Sequence, residues 1–313
     1  MKIAVLYGGV SNEREVSISS SKGIIQALKN NGHEVIGIDF HPERLDEIVA
    51  LDVDVVFIGL HGKYGEDGSL QGLLDMLNLP YVGSGVLASS LAMDKYKAKR
   101  MFQSVGIPTA KDKQVYFTKD KDLDSMINDI HSSFSFPFVI KPNREGSTVG
   151  LTVVKSETDT GPALEKAFQS DTVVLVEQFI DGIELTVPVI GKQDEERALP
   201  IIEIVPKNEI YDYESKYSEG GSEHIIPARI SDALTEQIKD YAIRAHRVLG
   251  CETYSRVDFL LTKDGVPYIL EVNTLPGMTP TSLFPDSAES EGLHYDEMIE
   301  MLVQLTVEKT GKR

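Results

Sequence analysis

Cysteine is nearly absent: Cys251 is the single one among 313 residues. No disulfide can form within the chain, the count suits a reducing compartment, and Cys251 reads as a small buried apolar residue. Basic residues are also scarce, 31 Lys+Arg against 49 Asp+Glu, for a formal net charge of -18. That balance argues against nucleic-acid or anionic-membrane partners, which want a basic footprint. A site that handles phosphate must then gather its cations locally. Nowhere does an uninterrupted apolar stretch reach the ~20 residues of a membrane span. The segment Met1–Gly9 has one basic side chain and a short apolar run, so no signal peptide is visible, and a cytoplasmic location is the expectation. Repeats and low-complexity segments are missing too. What remains, 41% hydrophobic and 26% charged residues, is ordinary for a globular chain long enough for two or three domains.

The apolar run Ile3–Leu6 predicts a buried strand, and Gly8-Gly9 leads into a helix from about Val16 to Leu28, stopped by Asn30-Asn31-Gly32. Strands at Glu34–Asp39 and Val53–Leu60, with a short helix near Leu45–Ala50 between them, make the first ~90 residues a parallel α/β unit. Gly8-Gly9 lacks the third glycine and later acid of a dinucleotide fingerprint, which weakens a nicotinamide oxidoreductase. The loop His61–Gly68 follows the third strand at its carboxyl end, where open α/β sheets place ligands, and Glu13 sits on another strand-end loop. Helices follow over Ser69–Leu77 and, as one piece, Val86–Val105. Lys95, Lys97, Lys99 and Arg100 crowd that second helix and read mostly as a solvated face.

From Pro108 the pattern shifts to short strands. Pro137–Pro142 ends in Lys141-Pro142, and Asn143–Gly150 is a Gly/Ser/Thr loop before Leu151–Lys155. Backbone amides, a hydroxyl and a lysine in that arrangement suit phosphate, with an ordinary hairpin turn as the plainer alternative. It is not the P-loop, which runs from strand to helix. Val173–Val187 is a strand, a glycine turn and a strand; it could meet an adenine edge and a ribose through Glu184, or be a plain hairpin. The polar loop Asp212–Gly221 reads either as an active-site lid or as a surface loop. Ser231–Leu249 is a helix ended by Gly250, and Leu293–Lys309 an amphipathic structural helix.

The centre of the pattern is the stretch Arg256–Asn273. Asp264-Gly265 between two β-rich runs predicts a two-residue hairpin loop. That register sets Leu261 opposite Tyr268, Asp258 opposite Glu271, and Arg256 opposite Asn273. Arg256, Asp258, Leu260, Ile269, Glu271 and Asn273 then share one face; Val257, Phe259, Leu261, Tyr268, Leu270 and Val272 share the other. Facing carboxylates sit roughly 5 Å apart at Cβ and repel, so a cation should lie between them. Hard oxygen donors without His or Cys favour Mg²⁺. A solvated polar face on an edge hairpin is the alternative.

Taken together these motifs resemble the ATP-grasp carboxylate–amine ligases, and within them the D-alanine–D-alanine ligase family, over nearly the whole chain. The carriers are Gly8–Ser17, His61-Gly62 with Gly65–Gly68, Met93-Asp94-Lys95, Ile140–Pro142, Glu145–Ser147, Tyr211–Tyr217, Arg256–Phe259, and Glu271–Thr274 with Pro276–Thr279. Thr148 and Leu275 depart from the pattern without touching an assigned role. The resemblance implies a Rossmann-like parallel α/β domain followed by a two-part ATP-grasp fold, α/β and in part α+β, with ATP between two antiparallel sheets. The implied domains are 1–94, a central lid subdomain 95–182, and 183–313 carrying the metal site and lid loop.

By the same resemblance Lys95 and Lys141 hold phosphates; Glu177, Phe179 and Ile180 the adenine edge; Glu184 the ribose. Asp258, Glu271 and Asn273 hold two Mg²⁺ ions, with Mn²⁺ as a substitute and a K⁺ requirement left open. Glu13 binds the first D-alanine ammonium and forms a triad with Ser147 and Tyr217; His61 lies near the first carboxylate. Arg256 and the Gly277 amide stabilise an oxyanion, Lys216 the transferring phosphoryl, and Ser282 with Leu283 the second carboxylate. Tyrosine at 217 favours an amine acceptor over D-lactate. A homodimer is implied. The competing classes are a D-alanine–D-lactate ligase and an ATP-binding regulatory module without catalysis.

Overall fold

The computed structural model describes residues 1–117, 122–206 and 222–310. The N-terminal apolar run forms β1 (Lys2–Gly8), flanked in parallel by β2 (Glu34–Phe40) and β3 (Val55–Ile58), with β4 (Tyr81–Val82) beyond β3. Ile3, Ala4, Val5 and Leu6 are all fully buried, as a continuous apolar strand in a doubly covered parallel sheet requires. α1 (Arg14–Asn30) packs on β1. The C-terminal helix α10 (Tyr295–Thr310) returns to the same core with Met298, Ile299, Leu302 and Val303.

The second sheet is antiparallel, in the order β5 (Asp112–Tyr116), β8 (Val173–Gln178), β6 (Phe138–Pro142), β7 (Thr152–Val154). Phe138, Ile140, Val174 and Val176 point to a core shared with α6 (Leu123–His131) and α7 (Glu157–Phe168). Side-chain alternation sends Val139, Lys141 and Glu177 to the opposite face. In the third sheet β9 (Gly182–Gly191) pairs with β11 (Ile202–Pro206) and β13 (Thr253–Thr262); β12 (Ser222–Ile225) and β14 (Pro267–Asn273) lie outside them, and β10 (Arg197–Ala198) joins β9. Its inner face packs on α4 (Val86–Met93), α5 (Lys95–Ser104) and α8 (Asp232–Leu249). This parallel sheet followed by two antiparallel ones is the expected order. Among the described residues, no helix is long and apolar enough to cross a membrane.

Two local expectations need correction. Residues 86–105 are two helices, because Asp94 leaves the helical region (ψ 91°) and its carboxylate caps α5 by accepting the Lys97 N–H at 3.1 Å. Asn143 fixes the same turn, accepting the Tyr96 N–H at 3.0 Å through its side chain and the Lys95 N–H at 3.2 Å through its carbonyl. The hairpin loop has three residues, Lys263-Asp264-Gly265, closed by Gly265 N–H to Thr262 C=O at 3.0 Å with Gly265 left-handed at φ 82°. Leu261 therefore faces Pro267, Leu260 faces Tyr268, and Phe259 faces Ile269. A β-bulge at Leu270 then restores Asp258 opposite Glu271 and Arg256 opposite Asn273. The bulge also reassigns faces. Ile269 belongs to the helix-covered core, while Leu270 joins Leu260, Asp258 and Glu271 at the cavity.

Candidate active site

The outer faces of the two antiparallel sheets enclose a cavity of about 550 Å³. Leu260 and Leu270 line it from the third sheet and Val139 and Val153 from the second, so each sheet gives it an apolar patch of wall. Phe179, Ile180 and Glu184 line it at the connection from β8 to β9. Lys95, Lys141, Ser147, Glu177, Asp258 and Glu271 line it as well. Nine of the residues singled out by sequence thus meet around one cavity.

The charged groups interlock. The Lys95 ammonium contacts Glu271 Oε2 at 2.9 Å and donates to the Glu145 carbonyl at 2.8 Å, so the cation expected beside the paired acids includes a lysine. Asp258 accepts from Arg256 Nε at 3.0 Å and Nη2 at 2.9 Å, from Asn273 Nδ2 at 3.0 Å and from Thr186 Oγ1 at 2.5 Å. The two-point contact fixes the plane of the Arg256 guanidinium. Asp258, Glu271 and Asn273 offer hard oxygens on one sheet face, a donor set that fits Mg²⁺ completed by phosphate and water. Among the described residues no group of three His, Cys, Asp or Glu forms a metal cluster; the amide oxygen of Asn273 would be the third donor of this set.

The phosphate-loop candidate carries two consecutive non-glycine residues in the left-handed region, Ser147 at φ 48° and Thr148 at φ 60°. Such strain persists only where the surroundings impose it. Here the Ser147 hydroxyl donates to Glu13 Oε1 at 2.5 Å across 134 positions of sequence, which joins the first domain to the second. A Cβ on Gly146 would stand 3.2 Å from Glu13 Oε2, so this loop closes on the carboxylate from both sides. Tyr217 and Lys216, and the lid expected over Asp212–Gly221, lie outside the described residues.

His61 is buried and tied to the loop that carries Gly277. Its Nδ1 lies 3.0 Å from the Leu275 carbonyl and its Nε2 3.5 Å from Ser20 Oγ, which in turn accepts the Met278 N–H at 3.3 Å. Burial holds the imidazole below its usual value, so the ring is neutral, with Nδ1 as donor to the carbonyl. Tyr295 of α10 donates to the Met278 carbonyl at 2.6 Å from the other side. Ser282 Oγ accepts the Thr279 N–H at 3.1 Å and lies 2.7 Å from its hydroxyl, and Leu283 opens α9 (Leu283–Ser290). His61, Gly277, Ser282 and Leu283 thus form a second group beside the cavity rather than part of its lining.

Sequence reasoning gave no role to two residues. Glu66 takes the Gly62 N–H at 2.6 Å, and desolvation, with the Glu13 and Glu271 charges, pushes its carboxyl up to about 8. Its place in the glycine-dense loop was the available signal. Lys99, read as part of a solvated face, is 1% exposed and bound to Glu177; no local signal marks it, because its partner lies 78 residues away.

A family model described as D-ala D-ala ligase C-terminus matches residues 101–304, and one described as D-ala D-ala ligase N-terminus matches residues 42–84. The D-alanine--D-alanine ligase of Halalkalibacterium halodurans is 57% identical over 311 residues, covering 99% of this chain and 100% of that protein. The structure of D-alanine--D-alanine ligase from Bacillus anthracis complexed with ATP aligns with a TM-score of 0.85 at 33% identity, covering 100% of this chain and 99% of that one. VanG D-Ala:D-Ser ligase from Enterococcus faecalis aligns with a TM-score of 0.84 at 32% identity, covering 98% and 99%. Sequence over the full length and fold agree: the chain belongs to the D-alanine–D-alanine ligase family, with the ATP-grasp fold.

Proposed function

We propose that this chain spends ATP to join two D-alanine molecules into D-alanyl-D-alanine, for peptidoglycan precursor synthesis, through a D-alanyl phosphate. The observation that carries this reading is the juxtaposition of Asp258 and Glu271 with Lys95 and Lys141 around one apolar-walled cavity. A carboxylate is a poor acyl donor because oxide is a very poor leaving group. Transfer of the γ-phosphate to the first D-alanine carboxylate supplies a good one and releases ADP. The amine of the second D-alanine then displaces phosphate.

In this reading Lys95 and Lys141 hold the phosphates, and Phe179, Ile180 and the Glu177 backbone meet adenine, with Glu184 on the ribose. Asp258, Glu271 and Asn273 would hold two Mg²⁺ ions, with Mn²⁺ as a substitute; when bound, these supply positive charge against the transferring phosphoryl. Glu13, oriented by the Ser147 hydroxyl, takes the first ammonium. Arg256, fixed in plane by Asp258, and the Gly277 amide receive the oxyanion. His61 keeps the Gly277 loop at the first carboxylate, while Ser282 and Leu283 take the second. Tyr217 would close the lid that excludes water, and Lys216 would meet the phosphoryl. A homodimer and a cytoplasmic location belong to the same proposal.

The test is an incubation of the purified chain with ATP, Mg²⁺ and D-alanine, with and without D-lactate or K⁺, and products identified by mass. D-alanine-dependent ADP and the dipeptide are expected. ADP without dipeptide, or a depsipeptide in preference, would overturn the assignment.

A further inference from the structure

Lys99 carries an ammonium at 1% exposure beside the site. Removing an ammonium from water costs several kcal/mol, and an apolar residue would serve the packing of α5, whose Ala98 and Phe102 are buried in the third-sheet core. Lys95 and Lys99 stand one turn apart on that helix, so both project from one face. Lys95 reaches Glu271 of the third sheet, while Lys99 reaches Glu177 Oε1 of the second sheet at 2.6 Å. The other oxygen of Glu177 holds the Lys141 ammonium at 2.7 Å. One carboxylate therefore bridges a cavity lysine and a lysine sealed behind it. Asp112 Oδ2, 3.9 Å from Lys99, is on a carboxylate already paired with Arg100.

The arithmetic of charge separates two roles for Lys141. Facing Glu177 alone, it would form a neutral pair with little attraction for an anion. With Lys99 on the far oxygen, the trio carries a net positive charge, and Lys141 is both fixed in place and still cationic toward the cavity. We propose that Lys99 is a positioning residue for nucleotide phosphates, which neutralises Glu177 from behind so that Glu177 can hold Lys141 without cancelling its charge. This rests on the cavity being the nucleotide site. Glu177 is ionised throughout the working pH range, because Lys141 and Lys99 together outweigh its burial and hold it at about 2.

The experiment compares wild type, Lys99→Met, Lys99→Gln and Lys99→Met/Glu177→Gln for binding of ADP and of adenosine by calorimetry, with thermal unfolding of each nucleotide-free protein. Lys99→Met should weaken ADP by about tenfold or more, as loss of a charge-assisted contact would, while adenosine is unchanged. Lys99→Gln keeps a hydrogen bond to Glu177 but not the charge, so it should lose ADP affinity too, and it serves where the methionine variant does not fold. The double variant should bind ADP better than Lys99→Met, since the uncancelled carboxylate is gone. Unchanged ADP affinity in both single variants would overturn the proposal, as would equal losses for ADP and adenosine accompanied by a lower unfolding temperature. Wild type that fails to bind ADP would instead overturn the nucleotide reading on which the proposal stands.

Discussion

At the scale of single residues, the carboxylates of the proposed site stand in surroundings that set them apart. Glu271→Gln removes charge without shape, and Lys95 keeps its contact with the Glu145 carbonyl. Turnover should fall by about 100-fold or more, with a lower thermal unfolding midpoint because the mostly buried Lys95 ammonium loses its carboxylate; near-normal turnover would remove Glu271 from the metal assignment. Asp258→Asn differs, since Asp258 also orients Arg256 and Asn273, and it should cost activity through both routes. Glu66 gives a pH test. Its folded value of about 8 is above the ordinary 4.5, so the folded form binds a proton that the unfolded chain releases. Below pH 4.5 both forms are protonated and the group has no effect. Between 4.5 and about 8 the unfolded chain ionises first, and stability declines as pH rises. Glu66→Gln, in EDTA and without nucleotide, should therefore gain stability over wild type progressively across that window, by urea denaturation; a constant difference would contradict the burial of this charge.

At the scale of elements, much was legible. The strand-end loops, the Lys141 strand and the Asp258–Glu271 pairing follow from apolar runs and side-chain alternation, which are local properties. The hairpin shows how a right register at Asp258 and Glu271 can rest on a wrong loop: one residue added in the turn is offset by one extra residue at the Leu270 bulge. The register near the turn and the faces of Ile269 and Leu270 were consequently misread. Nothing local announces the bulge, whose effect is to turn both Leu270 and Glu271 toward the cavity. The break at Asp94 was hidden for a related reason, because Ala92–Lys99 has good helix formers on both sides of a residue equally able to cap. Asp94→Ala should cost about 1 kcal/mol, the usual loss of an N-cap. Because the cap sets the start of α5 and so the Lys95 ammonium, the variant should also raise KM for ATP more than KM for D-alanine. Steady-state kinetics with urea unfolding would check both; a stability loss with unchanged ATP kinetics would separate the cap from the site.

At the scale of the whole molecule, the site is assembled from distant pieces, and the last helix decides whether the first sheet can contribute. Met298, Ile299, Leu302 and Val303 of α10 are fully buried in a core that the first sheet shares with Ile190 and Tyr254 of the third. His33 of the first domain meets Glu300 of α10 at 2.6 Å, and Tyr295 grips the Met278 carbonyl, so one helix holds both the first sheet and the Gly277 loop. Four such side chains are worth roughly 6–12 kcal/mol of burial, comparable to the net stability of a domain. Leu302→Ala alone should cost about 2–5 kcal/mol. The loss should fall on the core that the first sheet shares with the third: proteolysis would open residues 1–85 before the second sheet, whose core is separate, and Glu13 would no longer meet Ser147. ADP binding, which in the proposed site draws on the two antiparallel sheets, should survive at temperatures where D-alanine-dependent turnover is already gone. Simultaneous loss of ADP binding and turnover on warming would mean that the three sheets unfold as one cooperative unit.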